Sequence, residues 1–232
     1  MPDYIVTPEG RRLKKIATRT TTPVSDISIK VVYADAPRIC YNMPNEEFFP
    51  LVMRLRDKAV RLIDDRIVEL TRWSSIDRSK VVRWFGEDSQ ATRHTLSEGL
   101  IRMHGIMRGL TEKNFVKFTP EGVRAVGCEP RTKEGKTAAT ASVCKADGTY
   151  TIFIDTKFCQ LPIEEIDKDG IPLDGDSKLL VLIHEVSHFP VTMNSEDKWY
   201  VTRWSKMKAK QRDEFCIVNA ENIAAYVVNI GD

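Results

Sequence analysis

Long apolar runs are missing from this 232-residue sequence. A helix that crosses a bilayer needs about 18 or more consecutive apolar residues, and no window reaches that length, so we expect no membrane span. An excess of one charge is missing too, because 35 Lys and Arg stand against 33 Asp and Glu. A chain this close to neutral presents no strong basic field, and we therefore expect no nucleic-acid partner.

Two signatures of secreted proteins are also missing. The opening residues, MPDYIVTPEGRRLKK, lack the apolar core of a secretory signal, and the sequence contains no N-x-S/T glycosylation site. Our hypothesis is a protein delivered outside the producing cell by a specialised route, as a bacterial secreted effector or toxin would be. A cognate inhibitor or immunity protein would then be a partner. A cytoplasmic location stays open.

Cysteine pairs with metal-site spacing are missing as well. None of the five cysteines forms a C-x-x-C pair, which argues against a zinc site built from thiolates. One or two disulfides are compatible with the sequence if the protein works outside the cytosol. Buried free thiols are equally compatible, and the spacing of the cysteines does not decide between these alternatives.

The residues that are present change in pattern near Asn114. Before it, apolar residues recur every three or four positions from Phe48 to Leu70, and similar patterns cover residues 77–84 and 89–110, which predicts three helices. After it, short runs rich in strand-forming residues predict two or three antiparallel strands. These runs are FVKF at 115–118, VRAVG at 123–127, ASVC at 141–144 and TYTIFID at 149–155.

Two further helices are predicted near the C-terminus. Ser177 is a suitable N-cap for the apolar segment KLLVLIHEVSHF, and Pro190 ends that helix. The last helix is predicted over residues 213–228. The predicted fold class is α+β, with a mainly helical domain and a small antiparallel sheet over residues 46–232. An N-terminal extension, residues 1–45, is expected to be partly extended, with a strand at 27–34.

Two of the four histidines, His184 and His188, are four residues apart on a predicted helix. That spacing places both imidazoles on one face, one turn apart, where both can bind a single metal ion. Zinc suits two neutral imidazoles and a third ligand, with a fourth position left for water. Glu185 is placed to accept a proton from that water, so the segment predicts metal-assisted hydrolysis with Glu185 as the general base.

The third ligand is left open by local spacing. No third histidine follows His188, which excludes the extended H-E-x-x-H-x-x-G-x-x-H pattern. Several oxygen ligands lie downstream, and the chain reversal after Pro190 can present any of them. The candidates are Glu196, Asp197, Asp213, Glu214 and Glu221.

Residues 194–201, NSEDKWYV, resemble a stretch of the aspzincin metallopeptidases, the deuterolysin and lysine-specific metalloendopeptidase group. In that family, H-E-x-x-H is followed by G-T-x-D-x-x-Y-G, and here Asp197 and Tyr200 reproduce the D-x-x-Y core. The resemblance implies Asp197 as the third zinc ligand, with Glu196 as a weaker candidate. It also implies that the Tyr200 phenol donates to the oxyanion that develops during hydrolysis.

Three more segments carry the same resemblance. They are WFG at 84–86, YTIF at 150–153 and NAEN at 219–222, the last similar to the N-A-D that opens the family's final helix. The matches together cover roughly residues 46 to 228. They imply that residues 46–232 form a zincin-like metallopeptidase domain.

The departures from the family's pattern bear on specificity. Both glycines of the family's stretch are replaced, by Asn194 and Val201, so we expect the turn around Asp197 to differ. Lysine-specific members carry an acidic pair in the final helix that binds the ammonium group of the substrate. Glu221 keeps the first acid, and Ala224 replaces the second. The resemblance therefore implies Glu221 as a substrate-binding residue with a weaker preference for Lys or Arg.

The leading hypothesis is a zinc-dependent metalloendopeptidase that acts on a protein or peptide substrate. Two alternatives stay open: an amidase that cleaves cell-wall peptides, and a non-catalytic binding module that keeps zinc for stability. Glu185 argues against the binding module, because a purely structural zinc site has no use for a carboxylate that does not bind the metal.

Overall fold

The computed structural model describes residues 4–6, 12–16, 32–35, 37–130 and 139–230. The strands are β1 (Tyr4–Val6), β2 (Arg12–Ile16), β3 (Val32–Asp35), β4 (Phe115–Lys117), β5 (Ala141–Val143) and β6 (Ile152–Ile154). The helices are α1 (Asn45–Arg72), α2 (Ser75–Phe85), α3 (Gln90–Gly109), α4 (Pro120–Ala125), α5 (Thr156–Gln160), α6 (Lys178–Ser187), α7 (Thr202–Lys210) and α8 (Ala220–Val228). None of these helices is both long and apolar enough to cross a membrane.

The N-terminal strands form an antiparallel sheet in the order β1-β2-β3. The predicted strand at 27–34 coincides with β3 from residue 32 onward, and residues 27–31 lie outside the described part of the chain. Most of the predicted N-terminal extension lies outside it as well. The domain boundary at residue 46 therefore stays a prediction, although Ile39 and Cys40, which precede it, belong to the hydrophobic core.

The three predicted N-terminal helices are confirmed as α1, α2 and α3. Helix α1 buries a stripe of apolar side chains and packs along α3, as expected when apolar residues recur every three or four positions. Helix α2 begins with a capping box, in which the Ser74 hydroxyl accepts from the backbone N–H of Asp77 and the Asp77 carboxylate accepts from that of Ser74. Asp77 also binds Arg72 and is buried.

The second sheet, in the order β4-β6-β5, is mixed. The predicted antiparallel pairing is confirmed for β5 and β6 and is wrong for β4, which pairs with β6 in parallel. Two parallel strands need a long crossover between them, and here α4 and β5 lie within that connection. The alternation of apolar residues identifies a strand but does not show whether its neighbour runs parallel or antiparallel. The parallel pairing could therefore not be predicted from the local sequence.

The strand predicted at 123–127 is wrong, because residues up to Ala125 belong to α4. Thr119 caps that helix by accepting a hydrogen bond from the backbone N–H of Gly122 at 3.0 Å. Pro120 occupies the first helical position, where its missing N–H has no cost. The cap and the proline together outweigh the β-branched residues that follow.

The helix predicted over 213–228 is divided into two parts. Glu214–Val218 forms a 3-10 turn, Asn219 adopts an extended conformation, and α8 then begins at Ala220. The division follows from tertiary contacts, because the Asn219 side chain accepts hydrogen bonds from two distant backbone N–H groups. Helix α7, between Tyr200 and this segment, was not predicted.

Two disulfides are present, Cys40–Cys159 and Cys128–Cys144, with Cα–Cα distances of 5.5 and 5.8 Å. Cys216 is buried and unpaired among the described cysteines. The first disulfide joins the segment before α1 to α5. Lys178, the first residue of α6, donates from Nζ to the carbonyl oxygens of Cys159 and Leu161, so the same point anchors the start of α6. Burial lowers the pKa of Lys178.

Asp77→Asn tests the capping box of α2. The carboxylate is buried, and the guanidinium of Arg72 holds its pKa well below the usual range, although burial opposes this shift. A depressed folded-state pKa contributes stability above the unfolded pKa of about 3.9, and the contribution is lost as pH falls toward the folded value. We expect the variant to lose about 1–3 kcal/mol at pH 7, measured by urea unfolding.

The loss should shrink steadily below about pH 4, where the wild-type carboxylate begins to protonate on unfolding. Asp64→Asn, on the exposed face of α1, is the matched control and should change stability little at either pH. Equal losses at pH 7 and at low pH would contradict the assignment to a charged hydrogen-bond network.

Candidate metal centre

Helix α6 carries His184 and His188 on one face. The predicted helix is confirmed, with the Ser177 hydroxyl accepting from the backbone N–H of Leu180 at 3.1 Å as N-cap. His188 follows directly as the C-terminal cap residue. The two imidazole rings have centroids 4.9 Å apart, and both residues are 8% exposed. The four-residue spacing therefore places both rings side by side at the edge of the core.

Each imidazole has a partner at its Nδ1 atom. His188 Nδ1 lies 3.0 Å from the backbone carbonyl oxygen of Ser195, and His184 Nδ1 lies 3.5 Å from Glu221 Oε2. In a neutral imidazole, which is the form that binds a metal, a carbonyl or carboxylate at Nδ1 keeps the proton on that nitrogen and leaves the lone pair on Nε2. Both rings are thus oriented to present Nε2 to a common point.

Asp197 lies at that common point. Its Oδ1 atom is 3.1 Å from His184 Nε2 and 3.3 Å from His188 Nε2. The ligand atoms of the three residues all lie within 4.8 Å of one another. Two imidazole nitrogens and one carboxylate oxygen, each imidazole with a hydrogen-bonded Nδ1, form a donor set that fits a zinc ion.

The segment that carries Asp197 is held from both sides. Ser195 is fixed to the end of α6, because its N–H donates to Ser187 O at 3.1 Å and the two hydroxyls are 2.6 Å apart. On the other side, Asn219 Oδ1 accepts from the backbone N–H groups of Lys198 at 2.9 Å and Trp199 at 3.2 Å. These contacts place the carboxylate between the two rings.

The electrostatics of the cluster favour positive charge at its centre. Burial lowers the pKa of His184, but hydrogen bonds to Asp197 and Glu221 outweigh burial and raise the pKa to about 10. Burial raises the pKa of Asp197, and hydrogen bonds to His184 and His188 outweigh it and hold the pKa well below the ordinary range. Surroundings that stabilise a proton on an imidazole next to a carboxylate also stabilise a bound cation.

Glu185 and Tyr200 flank the three residues. Glu185 is 6% exposed, and burial raises the pKa of its carboxylate, while the neighbouring His184 and His188 oppose that shift. Tyr200 is 59% exposed, and its ring stacks on His184 with a centroid distance of 6.3 Å. Neither residue belongs to the group of three potential ligands.

The other residues predicted as possible third ligands do not face the two Nε2 atoms. Glu196 pairs with Lys198 at 2.7 Å, Asp213 pairs with Lys208 at 2.9 Å, and Glu214 is exposed in the 3-10 turn. Glu221 contacts His184 through Nδ1 and not through the nitrogen that faces Asp197. The sequence does not predict that the Ser195 carbonyl orients His188 or that the Asn219 side chain holds the segment of Asp197. No local sequence motif marks either role.

Comparison with known proteins gives the family of the chain. A sequence model described as "Lysine-specific metallo-endopeptidase", of the Aspzincin M35 family, matches residues 71–228. The chain belongs to the aspzincin family. It is therefore a zinc-dependent metallopeptidase, a hydrolase. The resemblance drawn from residues 84–86, 194–201 and 219–222 and the α+β fold class are both confirmed.

A solved structure shares the aspzincin fold of this chain. It is a zinc peptidase from Grifola frondosa, 15% identical, with a TM-score of 0.57 over 79% of this chain and 95% of that one. At this level of identity the likeness concerns the fold alone. No curated protein matches the sequence.

The two positions where this aspzincin lacks the family's glycines have a positive φ. Asn194 has a φ of 49° and Val201 a φ of 72°. Asparagine tolerates this region, whereas a β-branched residue with positive φ is a genuine outlier. The turn around Asp197 was expected to differ from the family's. Both positions have the positive φ that glycine adopts readily, at the cost of strain at Val201. The expected difference from the family's turn stays a prediction.

Val201→Gly should relieve that strain. We expect the free energy of unfolding to rise by about 1 kcal/mol, since relief of about 1–3 kcal/mol exceeds the added chain entropy of glycine, about 0.5–1 kcal/mol. Chemical denaturation of the two proteins measures the difference. Val201→Ala is the control, because it keeps a Cβ at positive φ and should gain less. A destabilised Val201→Gly protein would show that the valine side chain contributes more by packing than it costs.

Proposed function

We propose that this aspzincin is an endopeptidase that hydrolyses peptide bonds at the cluster of His184, His188 and Asp197. The observation that carries the proposal is the convergence of the two Nε2 atoms on Asp197 Oδ1, at 3.1 and 3.3 Å. In this proposal these three residues hold the zinc ion. Zinc bound there supplies a Lewis acid that polarises the scissile carbonyl and lowers the pKa of a water molecule.

Glu185 acts as the general base in this mechanism. It follows His184 directly in the chain, stands outside the ligand group, and is buried, which favours transfer of a proton onto its carboxylate. Tyr200 is the donor to the oxyanion that develops on the scissile carbonyl. Its exposed ring stacks over His184, so its phenol lies on the solvent side of the cluster, where a substrate enters.

Glu221 is proposed to bind a basic side chain of the substrate. It is 4% exposed, and its Oε1 atom is buried with no hydrogen-bond partner among the described residues. A buried carboxylate oxygen without a donor is costly. An ammonium group of the substrate would satisfy it, and this requires the side chains that cover the oxygen to move when the substrate binds. Asp176, just before the N-cap of α6, adds negative charge nearby: burial raises its pKa, and the charge of Glu221 raises it further. The pair supports a preference for Lys or Arg.

We propose that the enzyme acts outside the producing cell. The two disulfides, Cys40–Cys159 and Cys128–Cys144, support this proposal, because such bonds persist in oxidising compartments. The sequence favours a more specific role, in which the enzyme is a secreted effector or toxin. A cognate inhibitor or immunity protein would then be its partner. We also retain residues 46–232 as the proposed catalytic domain.

Glu185→Gln separates catalysis from metal binding. We expect kcat on denatured casein to fall by about 10²–10⁴-fold, because the general base is lost, while bound zinc stays near one per chain by elemental analysis. Asp197→Ala is the contrasting variant. It should lose zinc affinity by more than about a hundredfold, since partners outside the ligand set already contribute about 10–100-fold.

Unchanged activity of Glu185→Gln would exclude the proposed mechanism. The same preparations should be incubated with purified peptidoglycan. Cleavage of peptidoglycan peptides without cleavage of casein would replace the endopeptidase with the cell-wall amidase. Zinc retention without turnover on either substrate, in the wild-type protein, would favour the binding module.

Glu221→Gln tests substrate recognition. If Glu221 binds a basic side chain, kcat/KM should fall by roughly tenfold or more for peptides cleaved next to Lys, and little for matched peptides with Leu at that position. Asp176→Asn should show the same selectivity with a smaller effect. If Glu221 acts chiefly by orienting His184, both peptides should lose rate equally and zinc affinity should fall, which would contradict the proposal.

A further inference from the structure

A basic groove lies between α2 and α7, apart from the residues assigned to catalysis. It is open to solvent and has a volume of 680 Å³, which lies within the range of ligand-binding clefts. Five cationic side chains and one carboxylate line it among the described residues. The cations are Arg78, Arg83, Lys206, Lys210 and Arg212, and the carboxylate is Asp88. The whole chain has a net charge of only +2, so this concentration of positive charge is local.

The groove is built on a rigid contact between the two helices. Gly86 ends α2 with a φ of 79°, and a Cβ added there would lie 2.4 Å from Ala209 O and 3.0 Å from Arg212 Cα. The ends of α2 and α7 thus meet backbone to backbone, which requires glycine. The cations project from elements whose relative position is fixed by this contact, so the groove exists before any partner binds.

Internal ion pairs neutralise only part of the positive charge. Arg78 lies 3.6 Å from Asp88, and Lys206 lies 3.3 Å from Asp174. Lys210 and Arg212 are exposed and form no ion pair with any described residue. The groove therefore keeps an excess of cations that face solvent, at the end of α7.

We propose that the groove between α2 and α7 binds an acidic peptide segment of a protein partner. Carboxylates match the Lys and Arg donors, and the 41% exposed Val82 offers an apolar contact to such a segment. Small residues, among them Ser79 and Ala209, let a peptide backbone approach the floor. No aromatic side chain lines the groove among the described residues, which disfavours single-stranded nucleic acid, whose bases stack on aromatic rings.

The groove adjoins the elements that carry the catalytic residues. Helix α7 begins at Thr202, two residues after Tyr200, and Lys206 contacts Asp174 in the loop that leads to α6. A partner held there would contact the helix that follows Tyr200 in the chain. The inference goes beyond peptide-bond hydrolysis and does not depend on it, because binding can be measured without turnover.

Fluorescence anisotropy with a labelled peptide of about ten glutamates tests the proposal. The wild-type protein should bind it saturably at an ionic strength of about 0.05 M and much more weakly at about 0.5 M, where charges are screened within a few ångströms. A glutamine peptide of the same length should not bind. The variant K210E/R212E should bind roughly tenfold more weakly, because two attractive charges become repulsive.

The variant R54E/R61E, on the exposed face of α1, carries the same change in net charge and is the matched control. It should bind as the wild-type protein does. K210Q/R212Q should show an intermediate loss of affinity, and it tests whether charge reversal acts by disturbing the fold. Circular dichroism should confirm that each variant is folded. Equal weakening by both charge-reversal variants, an absence of saturable binding, or tighter binding of oligothymidine than of oligoglutamate would overturn the proposal.

Discussion

The site depends on one short pairing, between the segment around Asp197 and the extended residue Asn219. Glu196 N donates to Val218 O at 2.7 Å, and Ala220 N donates to Glu196 O at 3.0 Å. The Asn219 side chain accepts from the backbone N–H groups of Lys198 and Trp199. A helix places two histidines on one face, but a carboxylate on a loop needs an external support. This pairing supplies it, and the helix predicted over 213–228 is divided at Asn219 because of it.

What could be predicted from the sequence was local. Ser177 caps α6 through its own neighbours, and the spacing of His184 and His188 determines which face they share, so both were predicted correctly. The mixed sheet, the division at Asn219 and the role of the Ser195 carbonyl arise from contacts between segments far apart in the chain. The spacing of apolar residues along the chain does not predict contacts between distant segments. Asp197 was selected among five oxygen candidates through family resemblance, and not by spacing.

The same cluster shows why the histidines need partners on both nitrogens. Ser195 O and Glu221 Oε2 occupy the Nδ1 sides, and Asp197 Oδ1 occupies the Nε2 sides. Each ring therefore has a defined orientation and little freedom to rotate, which keeps the donor atoms in position. Burial of the rings strengthens these interactions, because the local dielectric is low. The polar network and the apolar core beneath α6 thus depend on each other.

The Cys40–Cys159 bond closes a loop with a sequence separation of 119, which contains α1 to α4 and the second sheet. In the chain-entropy description, a cross-link over such a length removes freedom from the unfolded chain and stabilises the folded one by about 5 kcal/mol. That is a large share of the stability of an ordinary domain, about 5–15 kcal/mol. The folded population of this protein is consequently coupled to the thiol–disulfide poise of its surroundings, and a reducing medium shifts the equilibrium toward the unfolded chain.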